Sequence, residues 1–532
     1  MQKCSDEFEQ VLNEYFEKTL AANPVMATYT GLESGEGKLG KATLEFETRQ
    51  IQFARKTLVG LESISPQNLS PEQHLDRLAI RAMLRRKIED FERGRHSFDP
   101  SALDAVLNIL LHELQRSEDD LKRATRNLKT LLKDIPRFLQ ESLSILRHPE
   151  IVWVNIMDQT FQGSGSLFDA LIVFFKNDPK AELLISVARE AFAKYHAGVK
   201  ALKPASEGTF ALGAEGLQRR VRDELGLDYT LAEIESLAWS EIERVGSLLR
   251  AECKKSGKGR DAETIIAHAR KAWHPKSDLL DLYREQTVSI ASAFEKAKAV
   301  TFPKNQTLVV REVPEFMRHL FPTAAYGSPG ALAKKQQGIF WVNDLGKTKT
   351  TEAEKSSERA QHFGLLLTCA HEAYPGHHLQ FTTSNQHPRK WRRLFAHAIF
   401  YEGWTLWCEQ MVVDLKLDPS PWIEIQQLHD ALWRCHRIIV DLKLQTREYS
   451  YAEAVKHMQK HLGFTKARAE ADVNWYTASP GVPMSYWLGR LENARLQQRL
   501  MTGRGWSLQK FNDWLISFGT LPQRWLEAYM LP

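Results

Sequence analysis

The sequence predicts a mainly α-helical protein, a large multi-helix body with one small β element near residues 305–345. Apolar residues recur at helical spacing through most of the chain, and Gly and Pro are mostly confined to the stretches between these segments. Between Thr301 and Leu345 the pattern changes to short β-branched and aromatic runs bounded by Pro and Gly, which are typical of strands. Helical spacing resumes near Ser356 and continues to the C-terminus.

Individual helices are predicted from capping signals and apolar spacing. The segment from Ser70 to Gln73 supplies a capping Ser, a first-turn Pro and a Gln three residues after the Ser, just before an apolar run. This combination is typical of a helix start.

Helical spacing also predicts helices over residues 121–146, 181–202 and 278–300.

The β element and the domain boundary are less strongly marked. Two strands are predicted, at Thr307–Arg311 and Gly338–Asn343, because both runs are β-branched or aromatic. A boundary near residue 300 would separate an N-terminal helical region, 1–300, from a catalytic region, 301–532. No linker marks that boundary, so one interlocked domain over 1–532 is the alternative.

Composition and charge narrow the class of protein. A chain of 532 residues with 43% hydrophobic and 26% charged residues is long enough to bury a core without disulfides. Its 71 basic and 66 acidic residues are interspersed and leave a net charge of +5, which argues against a nucleic-acid partner. No run is apolar enough to cross a membrane, and the first residues lack the apolar stretch of a secretory signal.

Cysteine usage favours a reducing compartment. The five cysteines are widely scattered, which is not typical of a disulfide framework or of a thiolate zinc site. The cytoplasm is therefore the predicted location, although a chain from which a leader had been removed would have the same features.

The segment with the strongest chemical signal is HEAYPGHH, at residues 371–378, which follows an apolar helical run. Zinc hydrolases with the H-E-x-x-H motif bind the metal through two His one turn apart, and the intervening Glu handles the proton of the bound water. Here His377 follows His371 by six positions, about 240° around a regular helix at about 100° per residue. Pro375 and Gly376 predict a local bulge that returns His377 to the side of His371.

His378 is the competing second ligand. It lies seven positions after His371 and so on the same face of a regular helix, but about 10.5 Å further along the axis at about 1.5 Å per residue. That separation is too large for one ion to be shared comfortably, so His377 is preferred and His378 is assigned a packing or supporting role.

A third ligand is expected on the following helix, where Glu402 and Glu409 lie seven positions apart on similar faces. One of them would bind the metal and the other could orient a ligating His from behind. A second His-Glu pair, at His112 and Glu113, has no His where a ligand is needed, and it is predicted to lie on an ordinary helix surface.

Residues 371–380 and 402–409 resemble the hallmarks of the largely bacterial domain of unknown function 885 (DUF885) family, H-E-A-x-P-G-H-x-L-Q and then E-G-W-A-L-Y-x-E. That family is considered similar to the gluzincin metallopeptidases, in which the third ligand is a Glu on a second helix. The resemblance implies a gluzincin-like fold and Zn²⁺ held by His371, His377 and Glu402. Glu372 would be the general base, and Glu409 would support a ligand from behind.

The C-terminal part, at residues 437–441 and 479–490, is also similar to this family. By analogy Tyr486 would donate a hydrogen bond to the developing oxyanion, with Tyr476 as the alternative. Arg490 would bind a substrate carboxylate, or else form a structural ion pair. The likeness further suggests that Gly338–Asn343 is an edge strand beside the active-site cleft, able to pair with an extended peptide.

The sequence thus predicts a zinc-dependent metallohydrolase, a peptidase acting on short or unstructured peptides. One alternative is a non-catalytic helical protein that uses the metal for structure or binding, and another is a metallohydrolase of a non-peptide amide. A di-iron carboxylate bundle is excluded because none of the 18 His follows a Glu by three residues. The expected partner is a peptide substrate, with neither nucleic acid nor membrane.

Overall fold

The computed structural model describes residues 2–256, 260–275, 277–313, 323–420 and 422–531. These residues are mainly helical and include three short strands, which confirms the predicted fold class. Among the described helices, none combines the length and the apolar character needed to cross a bilayer.

The chain forms two compact units, Met1–Ala211 and Leu212–Pro532. The division near residue 300 stays a prediction. The first unit contains the helices α1 Gln2–Ala22, α2 Pro24–Tyr29, α3 Leu44–Ser63, α4 Pro71–Glu92, α5 Arg95–Phe98, α6 Ala102–Gln115, α7 Leu121–Ile145, α8 Ile151–Phe174 and α9 Pro179–Ala201.

Side-chain caps define where several of these helices begin. The Ser70 hydroxyl accepts a hydrogen bond from the Gln73 backbone N–H, and the Gln73 side chain accepts one from the Ser70 backbone N–H, so the predicted capping box is present at α4.

The surface position predicted for Glu113 is wrong, since its side chain is fully buried where α6 packs on α7. Its carboxylate accepts a hydrogen bond from Asn127 Nδ2 at 3.2 Å.

The second unit contains the other α-helices and the strands of the described residues. They are α10 Gly213–Asp223, α11 Leu231–Ser256, α12 Ala262–Ala272, α13 Leu279–Lys296, β1 Thr307–Glu312, β2 Ala324–Gly327, β3 Gln337–Val342, α14 Glu352–Arg359, α15 Leu365–Glu372, α16 His377–Ser384, α17 Ala398–Asp414, α18 Ile423–Gln445, α19 Tyr451–Leu462, α20 Lys466–Ala478, α21 Val482–Gln497, α22 Leu508–Ser517 and α23 Gln523–Met530.

The three strands form one sheet in the order β1-β3-β2. β1 runs parallel to β3, and β2 runs antiparallel to it. The interpretation of Gly338–Asn343 as an edge strand is therefore wrong, because β3 has a neighbour on each side. The edge that matters for the site is β2, which contacts α15. Its sequence, Ala-Ala-Tyr-Gly, has little of the β-branched pattern by which strands are predicted.

Helix α17 is the centre of the second unit and is buried on nearly all sides. It packs against α21, and α18 packs against both α11 and α21. α17 and α21 approach closely at Gly403 and Gly489: a Cβ added at Gly489 would lie 2.0 Å from the Ile399 carbonyl oxygen and 2.9 Å from the Gly403 Cα. Only a pair of glycines permits this crossing, which fixes the distance between Glu402 on α17 and Tyr486 on α21.

We expect Gly489→Ala to lower the free energy of unfolding by about 2–3 kcal/mol, the upper range for overpacking, because the added methyl group meets backbone atoms that cannot rotate away. Gly503→Ala is the matched control, since nothing lies within 4 Å of a Cβ there. That control should stay within about 0.5 kcal/mol of the parent. Denaturant-induced unfolding followed by circular dichroism measures both, and equal midpoints for the two variants would contradict the packing described.

Candidate metal centre

The site is built on an interruption in a helix. α15 ends at Glu372 and α16 begins at His377, and the connecting turn includes a cis peptide bond before Pro375. A Cβ added at Gly376 would lie 1.8 Å from the His371 carbonyl oxygen, so only Gly can occupy this position. The predicted break is present, and it brings the His371 and His377 rings to within 5.0 Å between centroids.

Glu402 completes a group of three possible ligands. Its Oε2 lies 3.7 Å from Nε2 of His371 and 3.7 Å from Nε2 of His377. The three ligand atoms lie within 4.8 Å of one another. Glu402 Oε2 is buried and has no hydrogen-bond partner among the described residues. Two imidazole nitrogens and one carboxylate oxygen suit Zn²⁺, and the unsatisfied buried oxygen fits a cation at this point.

Glu409 sets the orientation of His371 from behind. Its Oε1 lies 2.7 Å from His371 Nδ1 and 3.6 Å from an Arg434 guanidinium nitrogen. A carboxylate that accepts a hydrogen bond from the Nδ1–H group keeps the proton on Nδ1 and leaves Nε2 available to a metal. Burial and the Arg434 charge lower the pKa of His371 to about 3, so its ring is neutral, as a ligand must be. Nδ1 of His377 has no partner among the described residues.

His378 lies outside this group and has other partners. Its Nε2 is 2.5 Å from Gln306 Oε1 and its Nδ1 is 3.0 Å from the Tyr326 hydroxyl. Because an amide oxygen only accepts, Nε2 donates to Gln306 and Nδ1 accepts from Tyr326. Gly338 on β3 makes room for this contact, since a Cβ there would lie 2.5 Å from His378 Nδ1.

Glu372 lies beside the ligand group, and its carboxylate accepts a hydrogen bond from the backbone N–H of Tyr326 on β2. Burial, followed by the charges of Glu402 and Glu409, raises the pKa of Glu372 to about 8. A cation bound by the neighbouring ligands would lower the pKa of Glu372 and so favour its ionised carboxylate.

Tyr486 reaches the site from α21, where its hydroxyl donates a hydrogen bond to Glu402. Burial and the Glu402 charge raise the pKa of Tyr486 well above its usual value, so the hydroxyl remains a donor. The start of α21 is held by Asp441 of α18, whose carboxylate accepts from the amides of Gly481 at 3.1 Å and Met484 at 3.2 Å. Asp441 thereby caps a helix whose own N-cap residue, Gly481, has no side chain.

The remaining two candidates have partners elsewhere. Tyr476 is fully buried, and its hydroxyl donates to Asp472 at 3.3 Å. The Arg490 guanidinium lies over the Trp407 ring, 4.9 Å from its centroid, and burial lowers the pKa of Arg490 to about 10. The structure thus brings together His371, Glu372, His377, Glu402, Glu409 and Tyr486, but not Tyr476 or Arg490.

Sequence reasoning missed four residues near the site, namely Gln306, Tyr326, Arg434 and Arg437. Gln306 and Tyr326 are far from the motif in sequence and carried no signal of their own. Arg437 begins the family-like segment 437–441, and Arg434 lies one helical turn before it, so the spacing of these arginines on one predicted helix was a usable signal.

The chain belongs to the family described as bacterial protein of unknown function (DUF885), whose profile matches residues 24–530. A "putative lipoprotein of unknown function" from Shewanella oneidensis has a similar structure, with a TM-score of 0.79, 20% identity, and 99% of this chain and 100% of that chain covered. A "putative lipoprotein" from Colwellia psychrerythraea matches with a TM-score of 0.75, 16% identity and 98% of each chain covered. No curated protein matches the chain.

We expect purified protein to bind about one zinc per chain through the three-ligand group. His371→Ala, His377→Ala and Glu402→Ala should each reduce the zinc content, because each removes one ligand atom. Glu409→Gln should weaken zinc binding by about 10- to 100-fold, the usual effect of losing a partner that orients a ligand.

The matched control is His378→Ala, which removes an adjacent imidazole that lies outside the ligand group and should leave zinc content unchanged. Metal content is measured by inductively coupled plasma mass spectrometry after dialysis against a weak chelator. Loss of zinc from the His378 variant with retention in the His377 variant would show that the ligands are wrongly assigned.

Proposed function

We propose that this chain is a zinc-dependent metallohydrolase, a peptidase acting on short or unstructured peptides. The observation that carries the proposal is the convergence of His371, His377 and Glu402 beside a buried carboxyl group, Glu372. The first three residues would hold the zinc. Within the part of the chain that the structure describes, the group has three members. This number supports a catalytic site over a structural one, since structural zinc sites have four protein ligands and catalytic sites have three and an open position.

When bound, zinc would supply an acidified water molecule and a Lewis acid for the substrate carbonyl. Glu372 would accept the proton of the attacking water and deliver it to the leaving amine nitrogen. The backbone N–H of Tyr326 keeps the Glu372 carboxylate in place for both transfers. Tyr486, which remains a hydrogen-bond donor, would turn its hydroxyl towards the carbonyl oxygen as negative charge develops there.

The position of β2 favours a peptide over another amide. The Tyr326 N–H points away from β3 towards Glu372, and backbone groups of a strand alternate in direction, so the outer edge of β2 faces the candidate base. An extended peptide can add to such an edge through main-chain hydrogen bonds to the outward groups of β2 that Glu372 does not use. A small non-peptide amide would gain nothing from it.

The cellular location stays a prediction. The described cysteines Cys253, Cys369, Cys408 and Cys435 are free and buried, in keeping with the predicted cytoplasmic location. The two similar structures, however, are described as putative lipoproteins.

Glu372→Gln should keep the zinc and the fold but lower kcat by at least about 10²-fold, because the amide can accept a hydrogen bond from water but cannot take its proton. Turnover of a fluorogenic peptide by zinc-loaded protein is the measurement, with metal content and circular dichroism recorded on the same sample. A zinc-loaded variant that is as active as the parent would exclude Glu372 from the chemistry.

The same proposal predicts that folded proteins are poor substrates, because a peptide must be extended to pair with β2. Cleavage of a stable globular protein should follow its unfolded fraction and be at least about 10³-fold slower than cleavage of an unstructured peptide. The control is a destabilised variant of the same globular protein, which should be digested quickly. Rapid digestion of the stable form would mean that binding does not require an extended chain, and the zinc assignment would be unaffected.

A further inference from the structure

Arg437 of α18 is a buried cation surrounded by aromatic rings. Its side chain is 6% exposed. The guanidinium carbon lies over four rings, at 4.0 Å from the centroid of Trp433, 4.6 Å from Tyr486, 5.4 Å from Trp475 and 5.8 Å from Tyr476. These faces hold the guanidinium in a fixed orientation and offset part of its desolvation.

Arg437 has no close carboxylate partner: the charges of Asp472 and Glu402 help to raise its pKa, but both act from beyond salt-bridge distance. It forms no ion pair with the described residues, and its Nε is buried without a hydrogen-bond partner. Its neighbour on the same helix differs, since Arg434 lies 3.6 Å from Glu409 and 3.8 Å from Asp430. A buried guanidinium that makes no salt bridge is costly, and distant carboxylates and aromatic faces replace only part of the lost hydration. The arrangement is that expected of a cation held ready for an anion from outside the chain.

Tyr486 connects this cation to the candidate metal centre. The face of its ring is covered by Arg437, and its hydroxyl donates to Glu402. One aromatic side chain therefore separates the guanidinium from the three-ligand group. A residue of extended peptide spans about 3.3–3.6 Å. A group one or two residues beyond a bond cleaved at the metal would therefore need to reach only past the Tyr486 side chain to meet the guanidinium.

We propose that Arg437 binds a carboxylate of the peptide substrate and makes the enzyme selective for peptides that carry one near the cleaved bond. The substrate class rests on the proposed function, whereas the binding of a carboxylate does not. A guanidinium presents two parallel N–H groups that match the two oxygens of a carboxylate, which gives orientation as well as affinity. The carboxylate is the peptide's C-terminus or an acidic side chain, two sources with the same chemistry.

Two other arginines serve as controls. Arg468 stacks on the same Trp433 ring, 5.1 Å from its centroid, but its side chain is exposed. Arg490, for which the family likeness suggests either a substrate carboxylate or a structural ion pair, stacks on Trp407 with the charges of Asp414 and Glu241 nearby. Neither lies over Tyr486, so neither should affect carboxylate binding.

The experiment measures binding rather than turnover. Three N-acetylated tripeptides are titrated by calorimetry: one with a free C-terminal carboxylate, its carboxamide, and a carboxamide with a Glu side chain. The 532-residue chain is used in the zinc-free form and again as the zinc-loaded Glu372→Gln protein, so that binding is measured independently of cleavage. The variants are Arg437→Gln, Arg437→Lys, Arg468→Gln and Arg490→Gln.

One of the two carboxylate peptides should bind at least about tenfold more tightly than the uncharged carboxamide, because charge-assisted bonds are stronger than neutral ones. Which of the two it is identifies the source of the carboxylate. Arg437→Gln should abolish the difference and Arg437→Lys should keep part of it, while the Arg468 and Arg490 variants keep all of it. A merely structural Arg437 would change affinity for all three peptides equally.

Equal binding of the three peptides by the parent protein, or no binding of any of them, would overturn the inference even if Arg437→Gln failed to fold. Retention of the full difference in a folded Arg437→Gln protein would overturn it as well. If the protein prefers carboxylate peptides but cleaves none of them, carboxylate binding by Arg437 is supported and the proposed peptidase activity is wrong. If it cleaves peptides without preferring carboxylates, the peptidase activity is supported and carboxylate binding by Arg437 is wrong.

Discussion

The interruption between α15 and α16 is the constraint on which the candidate site depends. In a continuous helix His371 and His377 would point in different directions, about 240° apart. The chain avoids this by bringing the backbone of Gly376 against the His371 carbonyl, an approach that no side chain would permit. The indole of Trp404 donates to the Pro375 carbonyl at 2.8 Å, which ties the turn to the helix that carries Glu402. Both candidate His ligands and Glu402 are thus positioned by one connected piece of structure.

Charge is distributed around this turn in a manner that a stable apolar core would not require. Burial raises the pKa of Glu372, Glu402 and Glu409, while Arg434 and Arg437 lie within the same buried region. Buried charges contribute little to stability unless they are paired closely, and here Glu402 Oε2 and Arg437 Nε have no hydrogen-bond partner among the described residues. Local departures from good packing rules are typical of functional sites, where stability is given up for chemistry.

The sequence was sufficient for the features that are local. Capping residues and apolar spacing predict α4, α7 and α9, because a helix is stabilised by residues three or four positions apart. The HEAYPGHH segment similarly predicts the break in the helix from Pro and Gly alone. The sheet is only partly predictable: no pattern marks β2, and the family likeness wrongly suggests that β3 is an edge strand. Strand order depends on pairings between distant residues that no local pattern encodes. Gln306 and Tyr326 are unpredictable for the same reason, whereas Arg437 lies in a family-like segment and only its place beside Tyr486 depends on the fold.

Tyr326 joins three parts of the second unit through one residue. Its backbone N–H donates a hydrogen bond to Glu372 and its hydroxyl donates one to His378. In the sheet it lies opposite Phe340 of β3. A peptide that docked along β2 would therefore contact Tyr326, the residue whose N–H holds Glu372. Movement of the strand by a fraction of an ångström would lengthen or shorten the bond to Glu372 and so shift its affinity for a proton. Occupancy of the β2 edge and protonation of Glu372 would then be coupled through the position of a single strand.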